Sequence, residues 1–84
     1  MYDLEISEIA DKKFRKLQKR EKRLLDIINK KILEIFDNPF HFKPLKGDLH
    51  GARRVHIQSS FVLTYEVIDN KIRILDFDHH DKIY

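Results

Sequence analysis

The sequence predicts one α+β domain over residues 1–84. Its order is β-α-α-β-β-β, with an antiparallel sheet packed against an N-terminal helical pair. Three observations carry this. Apolar residues recur at helical spacing between Ala10 and Phe36. Three β-rich runs follow residue 52. Both prolines and both glycines fall in the single stretch PFHFKPLKGDLHGA, residues 39–52, which reads as the loop between the two halves.

The elements follow in order. Residues 2–6, Tyr2-Asp3-Leu4-Glu5-Ile6, alternate apolar and acidic and read as a short strand. Ser7 has the side chain of a helix cap, and Glu8 and Asp11 suit the positive end of a first turn. Ala10, Phe14 and Leu17 then share one stripe. The basic cluster Lys19-Arg20-Glu21-Lys22-Arg23 interrupts that pattern, and a second stripe runs through Leu24/Leu25, Ile28, Ile32 and Ile35/Phe36. Two helices with a tight bend near 20–22 account for this, and one long bent helix is the alternative. Asn38-Pro39 ends the pattern, because proline disfavours helix in the residue before it.

The β-runs are Arg53–Gln58, Phe61–Ile68 and Lys71–Asp78. Ser59-Ser60 and Asp69-Asn70 separate them at the spacing of two-residue hairpin turns. Turns of that length set Glu66 opposite Arg73, Leu63 opposite Asp76, His56 opposite Leu63 and Arg54 opposite Tyr65. Val55, Ile57, Val62, Leu75 and Phe77 then form the face that meets the helices. Arg54, His56, Gln58, Tyr65 and Asp76 lie on the other, together with Phe61, Leu63, Val67, Ile72 and Ile74. A face that mixes bases with aromatics suits nucleic acid, since bases stack on rings and phosphates pair with Arg and Lys, and it equally suits a bound peptide or a dimer partner. A one-residue slip would exchange the two faces.

Composition excludes several classes. The chain is 42% hydrophobic and 37% charged, too apolar for a disordered segment. No apolar run approaches the ~20 residues needed to span a bilayer, so no membrane role is expected. The start MYDLEISEIADKK lacks a basic, then apolar, export signal, and there is no cysteine, so the cytoplasm is the expected location. The net charge of +3 is uneven: −4 over residues 1–11, +9 over 12–54 and −2 over 55–84. A middle segment this basic is the footprint of a polyanion or an acidic protein. A solvated helix surface accounts for Lys12, Lys13, Lys16, Lys19, Arg20, Lys22 and Arg23 equally well.

The five histidines are the natural candidates for proton transfer, because the ordinary histidine pKa of ~6.5 lies near working pH. DHHD, residues 78–81, also contains ligand-type side chains. Adjacent residues on a strand point to opposite faces, however, so His79 and His80 do not share one ion, and no metal is expected.

The order of elements, the stretch PLKGDLHGARRVHI (44–57), the run FVLTYEV (61–67) and the ending HHDKIY (79–84) resemble the RelE/ParE-superfamily toxins of type II toxin–antitoxin systems. The branch most similar is that of the YafQ-like mRNA interferases. The resemblance spans the chain and is strongest over residues 43–84. It implies the RelE-like microbial RNase fold and a ribosome-dependent endoribonuclease that needs no metal or other cofactor. In such enzymes the 2′-hydroxyl of the message attacks the adjacent phosphate, leaving a 2′,3′-cyclic phosphate and a 5′-hydroxyl. It also implies a cognate antitoxin, mRNA on the ribosome as substrate, and contact with operator DNA only through the antitoxin complex.

Matched residue by residue, His56 takes the place of the strand histidine, His80 that of the histidine four residues before the closing aromatic, and Tyr84 that of the aromatic. These are the implied catalytic residues. Lys43, Lys46, Arg53, Arg54 and His79 are the candidate phosphate and RNA contacts, and His79 also competes with His80, since some branches place that histidine one residue earlier. The chain departs from the pattern at three places. Lys43 stands where relatives often have histidine, Ser60 where they often have aspartate, and Asp76 or Asp78 where a basic residue is common. Two rival readings follow: a ParE-like toxin that inhibits gyrase by binding, and a degenerate member that only binds RNA or an antitoxin.

Overall fold

The structure is a computed structural model and describes residues 2–44 and 51–83. Along the chain it forms β1 (Asp3–Ile6), α1 (Glu8–Arg20), α2 (Lys22–Asp37), β2 (Ala52–Ile57), β3 (Phe61–Ile68), β4 (Lys71–His79) and a short α3 (His80–Ile83). The two-helix expectation holds, and so does the break near 20–22. Glu21 leaves helical geometry at φ −143° and ψ 64° while its N–H still donates to the Leu17 carbonyl at 2.7 Å. Packing five charged residues into successive turns sets like charges at helical neighbour spacing, which disfavours one continuous helix. The second helix ends at Asn38 before Pro39, as proline requires.

The strands lie in the order β1-β4-β3-β2. The β2-β3-β4 meander is antiparallel as expected, whereas β1 joins β4 in parallel, with Leu4 beside Ile72 and Ile6 beside Ile74. Ser7 fixes this junction twice. Its hydroxyl accepts from the Ala10 N–H at 3.1 Å, capping α1, and donates to the Leu75 carbonyl at 2.6 Å.

Two registers differ from the sequence expectation. The first hairpin loop is Gln58-Ser59-Ser60, because Ile57 pairs with Phe61 and Gln58 takes a left-handed φ of 56°. His56 therefore faces Val62, and Arg54 faces Thr64. The second turn is the expected Asp69-Asn70, and Glu66 does pair with Arg73. Beyond Tyr65–Ile74 the register shifts, so Thr64 meets Asp76 and Leu63 meets Phe77. Leu75 is the extra residue of a β-bulge, which leaves its carbonyl for Ser7.

Together these changes exchange the faces of β3. Leu63 and Tyr65, with Ile72 and Ile74, join Val55, Ile57 and Phe77 against Ala10, Phe14, Leu24, Ile28, Ile32 and Ile35. Val62, expected in that core, is buried but outside it. The mixed aromatic and basic face is thus not formed: Phe61, Leu63, Tyr65, Val67, Ile72 and Ile74 all pack with the helices. The end of the chain differs too, since the backbone leaves the sheet after His79 and coils as α3.

Candidate active site

His56 lies on the edge strand β2, where Val55 and Ile57 turn into the core and Arg54 and His56 turn away. His80 begins α3, and its backbone N–H donates to the Ser60 carbonyl at 2.9 Å, clamping the end of β4 to the first hairpin loop. The loop and the strand end thereby bring two distant histidines together. Their ring centroids are 5.7 Å apart and tilted by 31°. Both side chains are exposed, and Asp81 Oδ1 lies 3.7 Å from His80 Nδ1.

Beside this pair a cleft of about 510 Å³ runs along the outer edge of β2. Lys31 of α2, His41, Phe42 and Lys43 of the loop, and Arg54 and His56 of β2 line it. The loop is held to the strand by the Arg54 N–H, which donates to the Lys43 carbonyl at 3.0 Å, and by a bridge between Pro44 and Arg53. From the other side, Tyr65 donates its hydroxyl to the buried Pro39 carbonyl at 2.6 Å. Burial pushes that phenol up to about 12, against a smaller opposing pull from Arg53. His41 and Phe42 continue the support as edge-on rings, Phe42 at 6.4 Å from Tyr65 and His41 at 5.0 Å from Phe42.

Of the residues expected to contact phosphate, Lys43 and Arg54 border the cleft with His56. Arg53 does not. Its guanidinium donates to the carbonyls of Phe42 at 2.7 Å and Phe40 at 3.4 Å and lies over the Phe40 ring, so it braces the loop. His79 turns away from His80 and packs on Phe61, with ring centroids 4.6 Å apart. Lys46 and Tyr84 lie outside the described residues. Among the described residues, no three His, Asp or Glu side chains gather as metal ligands.

The acidic positions of β4 have a partner that sequence reasoning left as a surface base. Lys13 of α1 reaches Asp76 Oδ1 at 2.7 Å and Asp78 Oδ2 at 3.1 Å. Burial alone would lower the Lys13 pKa, but the hydrogen bonds and charges of the two carboxylates outweigh it and raise the pKa. Lys31 was missed as a wall of the cleft. It sits mid-helix in a run with no local signal, and the structure pairs it with Glu34 at 3.1 Å.

In chemical terms, the site sets two imidazoles close enough to address oxygens of one phosphate, with cations along one side. The family described as the ParE toxin of the type II toxin–antitoxin system parDE matches residues 4–84. A Methanocaldococcus jannaschii protein named as a toxin, RelE4, is 48% identical over the whole of this chain and 92% of its own length. YafQ in the Escherichia coli DinJ–YafQ complex superposes with a TM-score of 0.82 at 21% identity, covering 100% of this chain and 99% of that one. The intact E. coli RelBE toxin–antitoxin complex gives a chain with TM-score 0.78 at 26% identity, covering 92% and 94%. Sequence and fold agree: the chain belongs to the RelE/ParE superfamily of type II toxin–antitoxin toxins.

Proposed function

We propose that this toxin is a metal-independent endoribonuclease that cuts mRNA on the ribosome. The observation that carries the reading is the approach of His56 and His80 to 5.7 Å beside the Lys43–Arg54 cleft. One imidazole takes the proton of the 2′-hydroxyl, and that oxygen attacks the adjacent phosphorus. The other gives a proton to the departing 5′-oxygen. One P–O bond forms and one breaks, so the products are a 2′,3′-cyclic phosphate and a 5′-hydroxyl. Arg54 and Lys43 supply positive charge against the phosphorane. Tyr84 serves as a stacking or hydroxyl group at the same phosphate, and Lys46 as a further cation.

A cognate antitoxin is the proposed protein partner, supported by the RelBE neighbour's being solved as a toxin–antitoxin complex. Operator DNA is reached only through that complex, and the place of action is the cytoplasm. The end groups test the chemistry. Message recovered from translating ribosomes treated with the toxin is expected to carry 2′,3′-cyclic phosphate and 5′-hydroxyl termini. Fragments with 3′-hydroxyl and 5′-phosphate ends would refute 2′-hydroxyl attack.

A second reading, ParE-like inhibition of gyrase by binding, has one observation in its favour. Asp76 or Asp78 stands where cleaving relatives often hold a base, and both carboxylates engage Lys13. A supercoiling assay separates the two: inhibition indifferent to His80→Ala belongs to the second reading.

A further inference from the structure

On the far side of the strand end from His56 and His80, aromatic rings form a ladder from the core to the surface. Phe14 lies 6.2 Å from Phe77, Phe77 stacks on Phe61 at 5.1 Å and 17°, and Phe61 carries the His79 ring at 4.6 Å and 33°. The first members are buried, and His79, the last, is exposed. Its backbone is fixed by the N–H bond to Asp78 Oδ1 at 2.7 Å and by the cross-strand position opposite Phe61. Core packing explains the inner rings, but it gives no reason to end the ladder on an exposed imidazole.

The ladder opens into a groove of about 530 Å³ between α1 and the end of β4, bordered by Lys13, Lys16, Leu17, Phe61, Phe77 and His79. Asp78 also borders it, with its carboxylate bound to Lys13. Lys16 is exposed and paired with no carboxylate among the described residues. A flat aromatic surface beside an ammonium is the chemistry that holds one nucleotide of a single strand: the base on the ring, its phosphate on the cation.

We infer that the His79–Phe61 ladder is a base-stacking subsite for the nucleotide of single-stranded RNA that neighbours the phosphate at His56 and His80. The inference rests on the ribonuclease reading and extends it. His79 and His80 are consecutive, and their side chains leave in opposite directions, one toward Phe61 and the other toward His56. A strand that presents a phosphate to His80 crosses the end of β4 and places its next base over His79. Stacking reads the face of a base and not its edge, so the subsite adds affinity and register without strong sequence preference.

The test uses the whole chain and a single-stranded 2′-fluoro RNA, which lacks the attacking hydroxyl, with 2-aminopurine placed at successive positions. The expected result is quenching at one position by wild type, loss of that quenching with about ten- to a hundredfold weaker binding in His79→Ala, and recovery in His79→Tyr. Cleavage of ordinary message is followed in parallel. Wild-type quenching and affinity in His79→Ala, with cleavage intact, would overturn the subsite and leave the ribonuclease reading standing. A folded wild-type chain that neither binds nor cleaves would overturn both.

Discussion

Lys13 on α1 donates to Asp76 on β4 across 2.7 Å, and the same ammonium reaches Asp78 at 3.1 Å. This bridge ties the first helix to the last strand just before His80 leaves the sheet. Lys13→Met is expected to cost roughly 1 kcal/mol, because the pair is partly exposed and screened. That lowers Tm by about 4–8 °C in a domain of this size. The raised Lys13 pKa gives the sign of the pH effect. The stabilisation is full below the unfolded pKa, near the ordinary 10.5, and is lost as pH rises through the folded pKa. Thermal melts of wild type and Lys13→Met are therefore expected to converge at strongly alkaline pH. A constant gap across that range would contradict the assignment.

Tyr65 provides a second alkaline transition. Its phenol is buried, donates to Pro39, and is pushed up to about 12 from the ordinary 10.0. The folded state holds the proton longer than the unfolded state does, so stability falls as pH rises between those values. The difference corresponds to roughly 2–3 kcal/mol. Tyr65→Phe is expected to remove this dependence and to cost about 1–3 kcal/mol at neutral pH, since it leaves the Pro39 carbonyl without its donor. Denaturant titrations of both proteins at neutral pH and at high pH check the two effects separately.

The first hairpin loop carries backbone strain at a defined place. Gln58 adopts φ 56°, where a side chain is unfavourable and glycine is not. Gln58→Gly is expected to stabilise the chain by about 0.5–1 kcal/mol after the greater freedom of unfolded glycine is subtracted. His80 binds this loop through the Ser60 carbonyl. The histidine pair is expected to keep its geometry in the variant, so cleavage should be unchanged. A loss of stability in equilibrium unfolding would show that the left-handed residue is not strained.

Much of the fold was legible because its signals are local. Ser7 as a cap, the break at Glu21, the stop at Asn38-Pro39 and the Asp69-Asn70 turn each follow from one or two residues. The histidine pair was legible through family resemblance, and the structure does bring His56 and His80 together. What stayed hidden depends on partners far along the chain. Ser59-Ser60 resembles a complete two-residue turn, and nothing in Gln58 marks it as a third loop member. The Leu75 bulge offers its carbonyl to the Ser7 hydroxyl, 68 residues away in the chain, and the Lys13 bridge joins α1 to β4. Each inserted residue reverses a strand's faces, which is why the core of β3 was misplaced while its existence was not. Arg53 looked like a phosphate ligand because charge is visible in a sequence, whereas the loop carbonyls that take it are not.

In the proposed mechanism His56 and His80 form an acid–base pair acting on one phosphate. It is tested most directly by primer extension on message from a translation reaction, comparing wild type with His56→Ala and His80→Ala. Both residues are exposed, so the variants are expected to fold and melt like wild type. Discrete cuts within the ribosomal A site are expected for wild type, with a loss of about 10²–10⁴-fold in cleavage rate for each variant. Uncut message with folded wild-type toxin, or variants that cut as fast as wild type, would contradict it.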